Sequence, residues 1–231
     1  MVVDYSLAFD AVAFMREELG ITPDVRQAEI LASPVTRGIL NCSRQWGKST
    51  LMAAMAILLS NWGAWFEPGC LVVVVSPVAR QSGEFMDKVW AFARRLEVKK
   101  RGDGHNEMSQ VFPTGSRIVG LPGVEGNIRG FSKVALMLID EAARVPDELF
   151  YAVLPMVTRS GGDLWLMRTL LEKTGGAAGV LLEGMEPAGA LDAVCGAGDG
   201  VRAVSDGGVG GGAGNDGRAD ISAGVFVRIR G

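Results

Sequence analysis

Leu40-Asn41-Cys42-Ser43-Arg44-Gln45-Trp46-Gly47-Lys48-Ser49-Thr50 joins the end of an apolar, strand-like run to the start of a helix-like one. Gly-Lys-Ser-Thr at such a junction is a phosphate-binding signature, the Walker A pattern of P-loop proteins. A loop that enters a helix there aims backbone N–H groups and the positive end of the helix at an anion. In this reading Ser43, Arg44, Gln45, Trp46, Gly47, Lys48, Ser49 and Thr50 surround the phosphates of ATP. Lys48 reaches the outer phosphates and the Ser49 hydroxyl holds Mg²⁺. Cys42 stands where the pattern usually has its first glycine. By itself the match also fits the start of an ordinary surface helix.

A second motif strengthens the first. Val134-Ala135-Leu136-Met137-Leu138-Ile139-Asp140-Glu141 is an apolar run of the buried parallel-strand type that ends in two acids. Ligands of open α/β sheets bind at the carboxyl ends of the strands. Asp140 is therefore placed to hold the Mg²⁺ ion beside Ser49, and Glu141 to polarise the attacking water, as in a Walker B strand. Two acids after a strand also serve simply as a helix cap and its neighbour, here leading into Ala142-Ala143. Together and in this order, the motifs predict a nucleoside triphosphatase.

Composition fits a soluble α/β protein. Of 231 residues 48% are hydrophobic, and 23 Lys and Arg against 26 Asp and Glu give a net charge of −3. No run is long and clean enough to span a membrane, and Met1-Val2-Val3-Asp4-Tyr5 lacks the basic and apolar blocks of a signal peptide, so a cytoplasmic location is expected. Cys42, Cys70 and Cys195 are odd in number and far apart, which gives neither a metal cluster nor a disulfide framework. A slightly acidic chain offers no global attraction for nucleic acid, so DNA contact must come from local patches.

Strands alternate with helices along the chain. Leu7 to Leu19 is apolar at helical spacing and is stopped by Gly20 and Pro23. Gly38 to Cys42 reads as the first core strand, Lys48 to Trp62 as a helix, Cys70 to Pro77 as a second buried strand and Ala79 to Leu96 as a long helix. Gln110-Val111-Phe112 and Arg117-Ile118-Val119 suit a hairpin that turns at Pro113-Thr114-Gly115. The acidic strand follows, then a helix from Asp147 and a strand over Leu164 to Met167. The alternation predicts a mostly parallel sheet flanked by helices, the α/β fold of a P-loop NTPase of the ASCE type.

From Pro23 to Met167 the chain resembles the ATPase domain of the large terminase subunit, the DNA-packaging motor of tailed bacteriophages and prophages. The resemblance rests on the basic pair Arg44-Gln45 before Gly47-Lys48-Ser49, on Gln27 within Pro23-Asp24-Val25-Arg26-Gln27, on Gly126-Asn127-Ile128-Arg129-Gly130-Phe131, and on Asp140-Glu141-Ala142. It implies that ATP hydrolysis drives double-stranded DNA into a procapsid, with a small terminase subunit and a portal protein as partners and a homo-oligomeric ring as the intact assembly. It also implies that Gln27 pairs with the adenine edge, that Arg129 acts as an arginine finger toward a neighbouring subunit, and that Arg44 senses the outer phosphate. Each has a plainer alternative: an exposed helix glutamine, a solvated loop arginine, and an arginine bracing the loop against a carboxylate such as Glu141. A helicase-like or repair ATPase, or a fragment that binds nucleotide without turning it over, would carry the same two motifs.

Arg94, Arg95, Lys99, Lys100 and Arg101 cluster near the end of the long helix, where they suit a DNA backbone or simply the helix dipole. His105 stands alone in a polar loop and has no assigned role.

After Met167 the resemblance lapses. The family continues this strand into Ser/Thr-Thr-Pro, the element that couples hydrolysis to movement, whereas this chain reads Arg168-Thr169-Leu170-Leu171-Glu172-Lys173-Thr174. The expected division is an ATPase domain over 1–169 and a Gly/Ala-rich tail over 170–231, unstructured or out of frame, with the family's nuclease domain absent. Read one base later, codons for Ala219 to Gly231 permit QIYRQEYLCEFE, a phrase of the kind that ends the family's ATPase domain. A one-base frameshift near Arg168 to Leu171 accounts for this; a native glycine-rich extension is the alternative.

Overall fold

Helix α1 (Ala11–Glu17) begins where Asp10 caps it, the carboxylate accepting from the N–H groups of Val12 and Ala13 at 3.0 and 2.9 Å. The helix is shorter than the apolar periodicity from Leu7 suggests, because this cap fixes its start. Helix α2 (Val25–Ala32) opens with a capping box: Asp24 accepts from the Gln27 N–H, and the Gln27 side chain accepts from the Asp24 N–H.

The computed structural model describes residue 7 and residues 9–33, 36–61, 69–122, 131–169, 191–197, 200–203 and 224–229, the last three segments, Asn41 and Asp147 by their backbone alone. Strand β1 (Arg37–Cys42) leads through the phosphate loop into α3 (Lys48–Asn61). Strand β2 (Leu71–Ser76), buried at every residue, leads into α4 (Ala79–Arg95). Strands β3 (Ser109–Val111) and β4 (Arg117–Pro122) form the expected hairpin, Gln110 facing Ile118, with Gly115 supplying the turn at φ +82°. Strand β5 (Val134–Ile139), helix α5 (Asp147–Ser160) and strand β6 (Asp163–Thr169) follow.

The connection into β3 is knotted by Asp103. Its carboxylate accepts from the backbone N–H groups of His105 and Asn106, from Asn106 Nδ2 and from the Ser109 hydroxyl at 2.8–3.1 Å.

The sheet order is β3-β4-β2-β5-β6-β1, continued by three further strands. From β4 to β1 every pairing is parallel, and at one end of that run β3 pairs antiparallel with β4. Strand β6 thus lies between the phosphate-loop strand and the acidic strand, the ASCE arrangement expected from the sequence. Alternate residues feed two cores: Val72, Val74 and Trp165 pack against α1, α3 and α4, and Val73, Val75 and Leu166 pack toward α5. Gly38 opposes Trp165 across β1 and β6, and a Cβ there would lie 2.7 Å from the indole ring. This close approach requires glycine.

Within 170–231 the structure describes three strands: β7 (Leu191–Ala197), β8 (Gly200–Ala203) and β9 (Gly224–Ile229). Strand β9 pairs antiparallel with β1, Gly38 facing Arg228 and Asn41 facing Val225, and β7 pairs with β9. The open edge of β1 offers unpaired N–H and C=O groups, and the Val-Phe-Val-Arg-Ile run is a good strand former. Residues 170–190 and 204–223 lie outside the described residues.

Candidate active site

The phosphate loop turns on two residues of positive φ, Gln45 at 63° and Gly47 at 95°. Gly47 then hands over to α3, its carbonyl accepting from the Leu51 N–H at 2.9 Å. Lys48 is buried and folds back into the loop: its ammonium donates to the carbonyls of Ser43 at 3.2 Å and Cys42 at 3.4 Å. These are the bonds that an anion seated in the loop would replace. Cys42 keeps the loop's first position as a small buried group; burial, above all, pushes its thiol up to about 11, so it stays neutral.

Asp140 and Glu141 follow β5, the Asp140 N–H extending the ladder to Val75 O at 2.8 Å. Asp140 is buried, and burial together with the neighbouring Glu141 charge raises its carboxyl to about 6, against the pull of the Glu141 N–H, Lys48 and Lys88. Glu141 sits in the left-handed region at φ 45°, ψ 48°, a conformation that costs a non-glycine residue about 1 kcal/mol or more. That turn sends its carboxylate toward β6, where the Thr169 hydroxyl donates to the two carboxylate oxygens at 3.1 and 3.4 Å.

A cleft of about 760 Å³ collects these groups. Arg44, Gln45, Gly47, Lys48, Ser49 and Thr50 form one wall, and Glu141 with Thr169 forms the floor at the carboxyl ends of β5 and β6. The rest of the lining was not anticipated from the sequence. It is built by Arg80, Gln81, Glu84 and Lys88 of α4, with Arg144 from the 3₁₀ turn that follows Glu141. Arg80 and Glu84 pair at 3.2 Å, and Lys88 Nζ donates to the Glu84 carbonyl at 3.2 Å, so one helical stripe faces the cleft. The i, i+4, i+8 spacing was the available signal, but it looks the same as a solvated helix face.

Thr169 was missed for a different reason. The strand expected to stop at Met167 runs on two residues, which carries a threonine to the place where the coupling element was sought.

Gln27 reaches the site by another route. Its Oε1 is held by the Asp24 N–H, and its Nε2 donates to the Trp46 carbonyl at 2.9 Å, tying α2 to the phosphate loop. Arg44 and Ser43 are exposed on the loop, while Trp46 packs partly against the core. Arg129 lies outside the described residues.

The donor set suits Mg²⁺, which binds through one or two carboxylates plus phosphates and water. Asp140 is a buried carboxylate whose one described donor is the Glu141 N–H at 3.1 Å, and the Ser49 hydroxyl lines the same cleft. Among the described residues no cluster of three or more His, Cys, Asp or Glu forms a separate metal cage. None of the described helices is long and apolar enough to cross a membrane.

No protein-family profile matches the sequence, and no curated protein sequence matches it. By structure, the chain is similar to the ATPase domain of the large terminase of Thermus phage P74-26, with a TM-score of 0.55 and 21% identity over 66% of this chain and 67% of that domain. It is also similar to the large terminase of bacteriophage HK97, with a TM-score of 0.61 and 14% identity over 77% of this chain and 40% of that protein. Strand order, phosphate loop and acidic strand agree with that likeness, and the chain carries the fold of a phage large-terminase ATPase domain.

Proposed function

We propose that this protein is the ATPase motor unit of a phage or prophage large terminase, hydrolysing ATP to drive double-stranded DNA into a procapsid. The observation that supports it most is the convergence of Lys48, Ser49, Glu141 and Thr169 on one cleft at the carboxyl ends of parallel strands, with Asp140 buried beside them. Lys48 exchanges its loop carbonyls for the outer phosphates, and backbone N–H groups of residues 44–49 hold the remaining oxygens. Asp140 and Ser49 hold Mg²⁺, which neutralises charge on the phosphates when bound. Glu141 accepts a proton from water aligned with the terminal phosphate, and Thr169 orients the Glu141 carboxylate. Arg44 and Arg129 are assigned to the charge that develops on the transferred phosphoryl group, Arg129 from a neighbouring copy in a ring. The roles of DNA, small subunit and portal as partners, and a host-cytoplasmic setting, belong to the same proposal.

Three measurements on the full chain test it. Lys48→Ala is expected to abolish binding of a fluorescent ATP analogue. Glu141→Gln is expected to keep that binding within about twofold while lowering turnover by about 10²-fold or more. Double-stranded DNA is expected to stimulate hydrolysis without strand separation. Unwinding would favour the helicase-like reading, and tight nucleotide binding without any turnover would favour a non-catalytic fragment. Unchanged turnover in Glu141→Gln would sink the role given to Glu141.

A further inference from the structure

Helix α4 borders the cleft with Arg80, Gln81, Glu84 and Lys88 and then runs on to Arg95. At its far end stand Arg94 and Arg95, followed by Lys99, Lys100 and Arg101. The helix dipole accounts for cations in the last turn only. Arg95 is already used, its Nε donating to the Glu18 carbonyl at 3.3 Å. Arg94, Lys99 and Lys100 instead line a groove of about 230 Å³ together with Trp90, Val98 and Gln110.

Three features of this groove call for a partner. None of Arg94, Lys99, Lys100 or Arg101 forms an ion pair among the described residues, although Glu97 borders the same groove. Such a concentration of unpaired cations on a chain of net charge −3 suits a polyanion. The face of Trp90 is covered by a movable group, the Lys100 ammonium 3.2 Å from the ring centroid. Finally, two buried polar atoms on groove residues lack hydrogen-bond partners: the donor Trp90 Nε1 and the acceptor Gln110 Oε1. Gln110 is completely buried, and its Nε2 is fixed by the carbonyls of Lys99 and Val111 at 3.0 and 2.9 Å, which leaves the Oε1 as a rigid acceptor.

We propose that this groove holds an unpaired nucleotide of a nucleic-acid strand. The base takes the place of the Lys100 ammonium on Trp90, since base stacking outweighs a solvent-screened cation–π contact. Lys100, released, joins Arg94 and Lys99 on the flanking phosphates. With Lys100 displaced the groove opens far enough for the buried Gln110 Oε1 to accept from a base N–H. A chain of carboxylates answers the unpaired cations but neither the aromatic face nor the orphan acceptor, and a duplex keeps its base faces inaccessible. The groove and the cleft share no lining residue, and the inference stands apart from hydrolysis in the cleft.

The test uses the full chain and fluorescence anisotropy with a labelled oligo-dT, a blunt duplex of the same length and a polyglutamate peptide as probes. Oligo-dT is expected to bind most tightly. Lys99→Glu combined with Lys100→Glu is expected to weaken it by about tenfold or more at low salt. Trp90→Leu is expected to weaken it by about fivefold or more, and Trp90→Phe to retain most of the affinity. Binding of an ATP analogue stays unchanged in every variant, which separates loss of the groove from loss of the fold. Equal affinity for polyglutamate and oligo-dT, a preference for duplex insensitive to Trp90, or no oligonucleotide binding at all would each overturn the proposal.

Discussion

Asp103 shows how much a single carboxylate can organise. Burial raises its pKa, but donors from Asn106, His105 and Ser109 outweigh that and hold it at about 2, below its ordinary 3.8. A depressed native pKa stabilises the fold above the unfolded value and loses that contribution as pH falls through the native one. Asp103→Ala is therefore expected to cost about 1–3 kcal/mol at pH 7. The gap to the parent should close as pH falls from about 4 to about 2, as read by urea denaturation across that range. A gap that stays constant with pH would show that packing, not charge, carries the effect. At the candidate site, residue chemistry was partly legible: spacing alone singles out Lys48, Ser49, Asp140 and Glu141, and Lys48, Ser49 and Glu141 line one cleft. Gln27 was singled out too, but not its bond to the Trp46 carbonyl, which joins residues 19 positions apart with no local pattern to signal it.

Among the elements, β6 carries the most consequence. It is the strand inserted between β1 and β5, and it brings Trp165 against Gly38 at one level and Thr169 against Glu141 at another. Gly38→Ala pushes a methyl into a fully buried indole and is expected to cost about 1–3 kcal/mol, measured as a shift in the urea midpoint with an unchanged slope. A neutral result would mean that β1 can move away from β6, and with it the phosphate loop. Strand and helix positions were legible because apolar periodicity is local: β2, β5, α3 and α4 fall within a few residues of where the sequence puts them. The two added residues of β6 were not, since Arg168 and Thr169 are polar and their burial comes from neighbouring strands.

For the whole molecule, the sheet from β3 to β1 reads as one design, and the Gly-rich stretch beyond Thr169 does not share its periodicity. Pairing of β9 onto β1 uses the backbone, which an extended segment of either origin can supply. If the stretch is out of frame, the coding sequence from Leu164 onward, translated in the next forward frame, is expected to read through YRQEYLCEF-like text into an acidic domain. Stop codons in that frame would mark the stretch as native.

The left-handed turn at Glu141 reaches beyond the cleft. Glycine would sit there at ease, so the sturdiest version of this chain would lack the Glu141 carboxylate. A search for thermal robustness that ignores chemistry would tend to discard the very carboxylate proposed above to activate water. The strain is a standing tax on folding, met by the two cores on either side of the sheet, and it makes this corner a poor target for consensus stabilisation.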